Sequence, residues 1–118
     1  MEKDRTENLR RYSTEAFRLY ALHGKDITTD DFNHWLDCQA VSQTLSLFRS
    51  EGKLSIIEVL ECVYFKEPDK PLVKKDIEYR VINYCMNHHV SRPTVYRWLS
   101  YARSVFLSLR NHDKSDNI

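Results

Sequence analysis

The stretch over residues 88–109, HHVSRPTVYRWLSYARSVFLSL, restricts the fold of this 118-residue chain more than any other. Ser91 is a typical helix N-cap, because its hydroxyl can accept a hydrogen bond from an unpaired amide of the first turn. Pro93 follows within that turn, where its missing N–H costs nothing. Val90 and Val95 have the spacing of a hydrophobic staple across the cap. The sequence therefore predicts a helix that begins directly after Ser91.

One side of this predicted helix is apolar. Its members recur at intervals of three and four residues, and they are Val95, Leu99, Ala102, Phe106 and Leu109. Such spacing places them in one stripe that packs against the rest of the domain. Trp98 flanks the stripe and is predicted to belong to the core.

The other side of the helix is polar near its start, so packing does not explain its composition. Its residues are Arg92, Thr94, Tyr96, Arg97 and Ser100. A preceding helix is predicted from the spacing of Val73, Ile77, Val81 and either Tyr84 or Cys85, and it ends in a turn over residues 87–90. Two helices joined by a short turn, the second with polar residues at its start, are typical of a DNA-binding helix-turn-helix. The alternative is an ordinary helical hairpin with a solvated basic face.

Charge is distributed unevenly along the chain, although the formal net charge is only +1. Residues 1–70 carry ten Lys/Arg and thirteen Asp/Glu, residues 71–110 carry seven and two, and residues 111–118 carry one and two. Basic residues therefore concentrate in the half of the chain that contains the predicted helix-turn-helix. This distribution is what neutralisation of DNA phosphates requires.

Composition and spacing predict an all-α fold of about five helices. Only two Gly and three Pro leave few positions for the turns that many short strands need. An amphipathic first helix is predicted over residues 2–23, with Gly24 as its C-cap. It is expected to pack on the body of the domain or, in a homodimer, on the N-terminal helices of a second copy. The most apolar segment, residues 54–65, is predicted to be a central helix.

A further helix is predicted between these two. Thr29 is its expected N-cap, with Asp30 and Asp31 in the first turn, where acids suit the positive end of the helix dipole. The helix is expected to run to about Arg49. Its predicted inward residues are Phe32, Trp35 or Leu36, Ala40 or Val41, Leu45 and Phe48.

The predicted organisation is an N-terminal helical region over residues 1–52, a helix-turn-helix DNA-binding region over residues 53–110 and a polar tail over residues 111–118. No apolar run is long enough to span a membrane and no signal peptide is evident, so a cytoplasmic protein is expected. The three cysteines, Cys38, Cys62 and Cys85, have no zinc-ligand spacing, so no metal and no cofactor are predicted.

The run over residues 56–109 resembles the region-4-like helix-turn-helix of bacterial RNA polymerase sigma factors. It resembles more closely the small sigma-factor-like proteins of phages and prophages in low-GC Gram-positive bacteria, the ArpU, RinA and positive-control-factor groups that switch on late genes. The similarity is carried by SRPTVYRW at residues 91–98, by Ala102, Arg103 and Phe106, and by residues 12–25. Before the turn, where sigma-type sequences have a small or aliphatic residue and a Gly, this chain has Asn-His-His.

This resemblance implies an accessory regulator that binds double-stranded DNA and acts with host RNA polymerase. It implies base or phosphate contacts from the polar residues at the start of the second helix of the motif, with Lys74 and Lys75 on phosphates. Arg103, a turn further on, is expected to contact a phosphate or to pack.

Three other functions are compatible with parts of the sequence. A small terminase-like protein would use a helix-turn-helix to package phage DNA, but such proteins usually place it first in the chain. A nuclease would need a cluster that His88 and His89 form with Asp113 or Glu78, and no ligand spacing supports one. A helical adaptor would use the basic face to bind a protein. The sequence favours a DNA-binding regulator of transcription that is not an enzyme.

Overall fold

A computed structural model describes residues 2–110 of the chain, and the side chains of residues 5–110. In this range the chain forms five α-helices and no strand, which confirms the all-α prediction. The helices are α1 (Glu2–His23), α2 (Phe32–Ser50), α3 (Leu54–Val63), α4 (Lys74–His88) and α5 (Arg92–Leu109). Over the described residues, no helix has the length and apolarity needed to cross a membrane. The predicted polar tail lies outside the described part of the chain.

Local hydrogen bonds set the C-terminal end of α1 and the start of α2. Gly24 ends α1 as predicted, with φ of 74° and an N–H that donates to the Tyr20 carbonyl at 2.7 Å. The predicted cap of α2 is wrong by two residues, because Asp31 and not Thr29 is the N-cap. The Asp31 carboxylate accepts from the Asn33 N–H at 2.9 Å, while the Thr29 hydroxyl accepts from the Asp31 N–H at 3.0 Å and stabilises the turn before the helix.

One hydrophobic core joins all five helices. Its fully buried members include Phe17 of α1, Val41 of α2, Leu60 of α3, Val81 of α4 and Phe106 of α5. The predicted central position of the apolar helix α3 is confirmed, since it contacts α2, α4 and α5. Helix α1 packs against α2 and α5, so its apolar face is covered by the body of the domain. Residues 1–52 and 53–110 therefore share their core.

Some residues predicted to face inward are exposed because they lie at helix ends, beyond the core. Phe32 begins α2 and is 67% exposed, whereas the buried residues of that helix start only at Asp37. Leu109 ends α5 and is 39% exposed, one turn beyond Phe106, which is the last buried residue of the stripe. The helical period shows which side of a helix faces the core, but it does not show where the partner helix stops.

The connector between α3 and α4 is held by two guanidinium groups. The buried side chain of Arg18, on α1, donates to four backbone carbonyls, those of Tyr64, Lys66, Glu67 and Lys70. Arg80, on α4, donates to the carbonyls of Val63 at 2.8 Å and of Lys66 at 3.1 Å. Burial and the nearby charge of Arg80 lower the pKa of Arg18. These bonds satisfy carbonyls at the end of α3 and in the connector that leads to α4.

The residue after α5 is also anchored. The Nε atom of Arg110 donates to the Asp37 carboxylate at 2.8 Å and to the Tyr12 hydroxyl at 3.2 Å, and the Tyr12 hydroxyl donates to the same carboxylate. Burial, followed by the Asp37 carboxylate, raises the pKa of Tyr12 to about 12. This group ties α1, α2 and the end of α5 together.

Candidate nucleic-acid interface

Helices α4 and α5 are joined by three residues, 89–91, and pack against each other. His89 is the C-cap of α4 in the left-handed conformation, with φ of 55°, and its N–H donates to the Cys85 carbonyl. The predicted turn over residues 87–90 is therefore wrong at its start, because Asn87 and His88 belong to α4. The His88 ring stacks on that of Tyr84, one turn earlier, with 3.9 Å between ring centroids, and this contact lies in the last turn of α4.

The predicted start of α5 is confirmed. Ser91 is the N-cap, and its Oγ accepts a hydrogen bond from the Thr94 N–H at 3.4 Å. The Ser91 and Thr94 hydroxyls lie 2.9 Å apart and share a second hydrogen bond. Behind this cap, Val95 is completely buried, and Val90 packs against the core that contains it. The first turn of α5 is thus fixed by both a polar cap and an apolar contact.

The predicted contact residues of α5 divide into two groups. Four of them are exposed, and they are Arg92, Tyr96, Arg97 and Ser100. The last three lie off the buried stripe, whereas Arg92 shares a side with Val95 and is exposed because it begins the helix. Thr94 is half-buried, and its hydroxyl already bonds that of Ser91. Burial and the nearby carboxylate of Glu78 raise the pKa of Tyr96, so its hydroxyl remains a hydrogen-bond donor at neutral pH.

The seven Lys and Arg side chains between positions 71 and 110 have different roles. Three are held by the fold: Arg80 by carbonyls, Arg110 by Asp37, and Arg103 by a 2.6 Å bond to the Tyr64 hydroxyl. Arg103 therefore has a contact within the fold, and the phosphate contact that was its other predicted role stays a prediction. The other four are exposed and form no ion pair or side-chain hydrogen bond within the described residues, and they are Lys74, Lys75, Arg92 and Arg97. All four lie in the first two turns of α4 and α5.

A cleft of about 600 Å³ opens between α1, α4 and α5, next to the exposed side of α5. Three of the predicted site residues line it, namely Lys74, Tyr96 and Ser100. Arg10 of α1 lines it as well, and sequence reasoning missed this residue because nothing in the local pattern distinguishes Arg10 from Arg11. The carboxylates of Glu7 and Glu78 also lie on its walls, so the cleft has mixed charge.

Within residues 2–110, no three His, Cys, Asp or Glu side chains lie together in a way that could hold a metal ion. Asp113, one member of the nuclease alternative, lies outside this range. The three thiols are free, and burial, followed by Asp37, raises the pKa of Cys38 to about 11.

Comparisons with family models, with curated proteins and with solved structures found no match for this chain. What it binds must therefore be inferred from its own geometry. In that geometry α4 and α5 pack against each other, and each helix exposes two cationic side chains near its N-terminus. None of the four is paired within the described residues.

Proposed function

We propose that this protein is a sequence-specific DNA-binding regulator of transcription. In this proposal α4 and α5 form a helix-turn-helix, and the start of α5 lies in the major groove, as a recognition helix does. The observation that carries the proposal is the exposed position of Arg97 on the side of α5 opposite the buried residues, together with Arg92, which is exposed as the first residue of the helix. Residues of an α-helix are rotated by about 100° each, so Arg97 is directed about 200° away from the buried Val95.

The two helices would have different roles on DNA. An arginine on the exposed side of α5 can donate two hydrogen bonds to guanine, which is the commonest specific contact in the major groove. Lys74 and Lys75 begin α4, the helix that would cross the backbone, where a charge meets phosphates and positions the protein. The N-cap of α5 is the uncharged Ser91, so the positive end of the helix dipole is available to a phosphate.

The resemblance to phage and prophage sigma-factor-like regulators supports a finer proposal. The protein would activate late genes of a phage together with host RNA polymerase. DNA packaging is the alternative function for the same pair of helices. A footprint at a promoter favours regulation, whereas a footprint confined to a packaging site contradicts it.

The decisive experiment combines selection of bound DNA from a random pool with two variants, Arg97→Ala and Lys75→Ala. We expect the pool to yield a defined motif. Arg97→Ala should cost about 1–3 kcal/mol of binding free energy and relax the preference at one base position, because a base contact is lost. Lys75→Ala should weaken binding to all sequences equally and lower the slope of log affinity against log salt by about 0.9, because a phosphate contact is lost.

Both side chains are exposed and unpaired among the described residues, so neither substitution should change the melting temperature. If both variants lower affinity uniformly and neither changes base preference, α5 does not read bases. Failure to recover any motif from the pool would also contradict sequence-specific binding.

A second candidate is an adaptor that binds a protein, and one surface favours it. The rings of Phe32 and Trp35 stack at the start of α2 with 5.8 Å between centroids, and they are 67% and 40% exposed. Aromatic residues are enriched at protein interfaces, and Asp30 and Asp31 beside them would attract a basic partner. An adaptor should yield no DNA motif in the same selection.

A further inference from the structure

Arg10 lies between two clefts that separate α1 from α5. The larger cleft, described above, opens towards α4, and a smaller cleft of about 200 Å³ lies on the other side of Arg10. Three residues line both clefts, and they are Arg10, Ser100 and Arg103. The side chain of Arg10 is therefore placed beside Ser100, one turn along α5 from the exposed Tyr96.

The Arg10 side chain has no partner in the described part of the fold. Arg10 is exposed, and its guanidinium forms no ion pair or hydrogen bond with the rest of the described chain. By contrast, Arg18, two turns further along α1, is buried and donates to four carbonyls. An arginine without a structural partner, next to the proposed reading surface, is available to an external anion.

The larger cleft has a positive group from each of three helices. Lys74 of α4 and Arg10 of α1 are exposed, while Arg103 of α5 is half-buried and held by the Tyr64 hydroxyl at 2.6 Å. Tyr96 and Ser100 add hydroxyl donors. Guanidinium, ammonium and hydroxyl groups together are the donors that phosphate oxygens accept from in protein–DNA interfaces.

We infer that this cleft seats a phosphate of the DNA backbone and that Arg10 of α1 contacts it. The inference rests on the proposed function and extends the DNA interface from the α4–α5 pair to the N-terminal helix. The cleft is continuous with the exposed side of α5 through Tyr96 and Ser100, so a strand flanking the groove that α5 enters would pass over it. Two carboxylates compete with the phosphate and limit the affinity: Glu7, one turn before Arg10 on α1, and Glu78, one turn after Lys74 on α4.

The test compares Arg10→Ala with Arg11→Ala on the selected site and on a shuffled sequence across a range of salt concentrations. Arg11 is the matched control, because it is adjacent, exposed and lines neither cleft. Arg10→Ala should lower the slope of log affinity against log salt by about 0.9. The affinity of the variant relative to the wild type should therefore be about eightfold lower at 0.1 M salt than at 1 M salt. The loss should be equal on both DNAs, and Arg11→Ala should stay within about twofold of the wild type. Arg10→Gln, which keeps a polar side chain without the charge, should reproduce the loss.

Each contrary result has a distinct meaning. Wild-type affinity in Arg10→Ala, with base preference still changed by Arg97→Ala, overturns the inference and leaves the proposed function intact. Equal losses in Arg10→Ala and Arg11→Ala also overturn it, because the effect would then be general charge. Protection of the wild type by inorganic phosphate against heat, with no effect of Arg10→Ala on DNA affinity, assigns the cleft to free phosphate and overturns the backbone contact. If the wild type binds neither DNA, both the inference and the proposed function are wrong.

Discussion

The starts of α2 and α5 are built in the same way and present opposite surfaces. Each helix has an N-cap side chain that accepts a backbone N–H, Asp31 at 2.9 Å and Ser91 at 3.4 Å. Each also exposes an aromatic side chain in its first two turns, since Trp35 is 40% exposed and Tyr96 is 41% exposed. Local structure alone therefore does not distinguish the two helix starts.

Charge distinguishes them. At α2 the cap is a carboxylate, and exposed Asp30 precedes it, so the positive end of the helix dipole is already compensated and a phosphate would be repelled. At α5 the cap is a hydroxyl, and the exposed side chains of Arg92 and Arg97 follow it. An N-cap side chain can thus favour a basic partner when it is a carboxylate, as in α2, or leave the helix start open to an anion when it is a hydroxyl, as in α5.

The two helix starts also differ in how deeply their side chains are buried. This difference gives the largest predicted effect on stability. Val95 in the first turns of α5 is completely buried, whereas Phe32 at the start of α2 is 67% exposed. Val95→Asp should cost several kcal/mol of unfolding free energy, because an unpaired carboxylate would enter the core. Phe32→Asp should change it by no more than about 0.5 kcal/mol. Thermal and denaturant unfolding followed by circular dichroism measures both.

Because one core joins all five helices, Val95→Asp should destabilise the whole described domain and not only the α4–α5 pair. Unchanged stability of Val95→Asp would show that α5 does not pack as described. A large loss in Phe32→Asp would show that the start of α2 is covered in solution.

Local signals explain why so much of the fold could be predicted from the sequence. The cap at Ser91 and the stripe of α5 depend on residues within a few positions of each other, and both are confirmed, apart from Leu109 at the helix end. The end of α1 at Gly24 is predictable for the same reason. Where two neighbouring residues compete for the cap, as Thr29 and Asp31 do, the sequence does not decide between them.

The long-range contacts could not be predicted in this way. Arg110 bonds Tyr12 across 98 positions of sequence and Arg18 bonds the carbonyl of Tyr64 across 46. No periodicity encodes which arginine finds a carbonyl, a carboxylate or only solvent. For the same reason the position of Arg10 beside the candidate DNA surface emerged only from the packing of α1 on α5.

The two exposed aromatic side chains, Tyr96 and Trp35, give a test of DNA affinity in which the expected effect is of intermediate size. Tyr96→Ala should weaken binding to the selected DNA by about 1 kcal/mol, because its hydroxyl is an available donor next to Arg92 and Arg97. Trp35→Ala should leave DNA affinity unchanged, although Trp35 is exposed to nearly the same extent. Titrations of the two variants in the same buffer make the comparison. An equal loss in both would show that DNA contacts the acidic start of α2, against the contrast drawn above.

The smallest effect on stability, and the most direct test of the role of charge, comes from changing the cap of α5 into that of α2. Ser91→Asp keeps a side chain that can cap and adds a carboxylate at the positive end of the helix dipole, so stability should rise by a few tenths of a kcal/mol, to about 1 kcal/mol at most. DNA binding should nevertheless weaken on every sequence, because that carboxylate would face the phosphates. Ser91→Asn is the matched control, since it caps equally well without the charge and should keep its affinity. Equal affinity in Ser91→Asp and Ser91→Asn, measured at low salt, would mean that no phosphate approaches the start of α5.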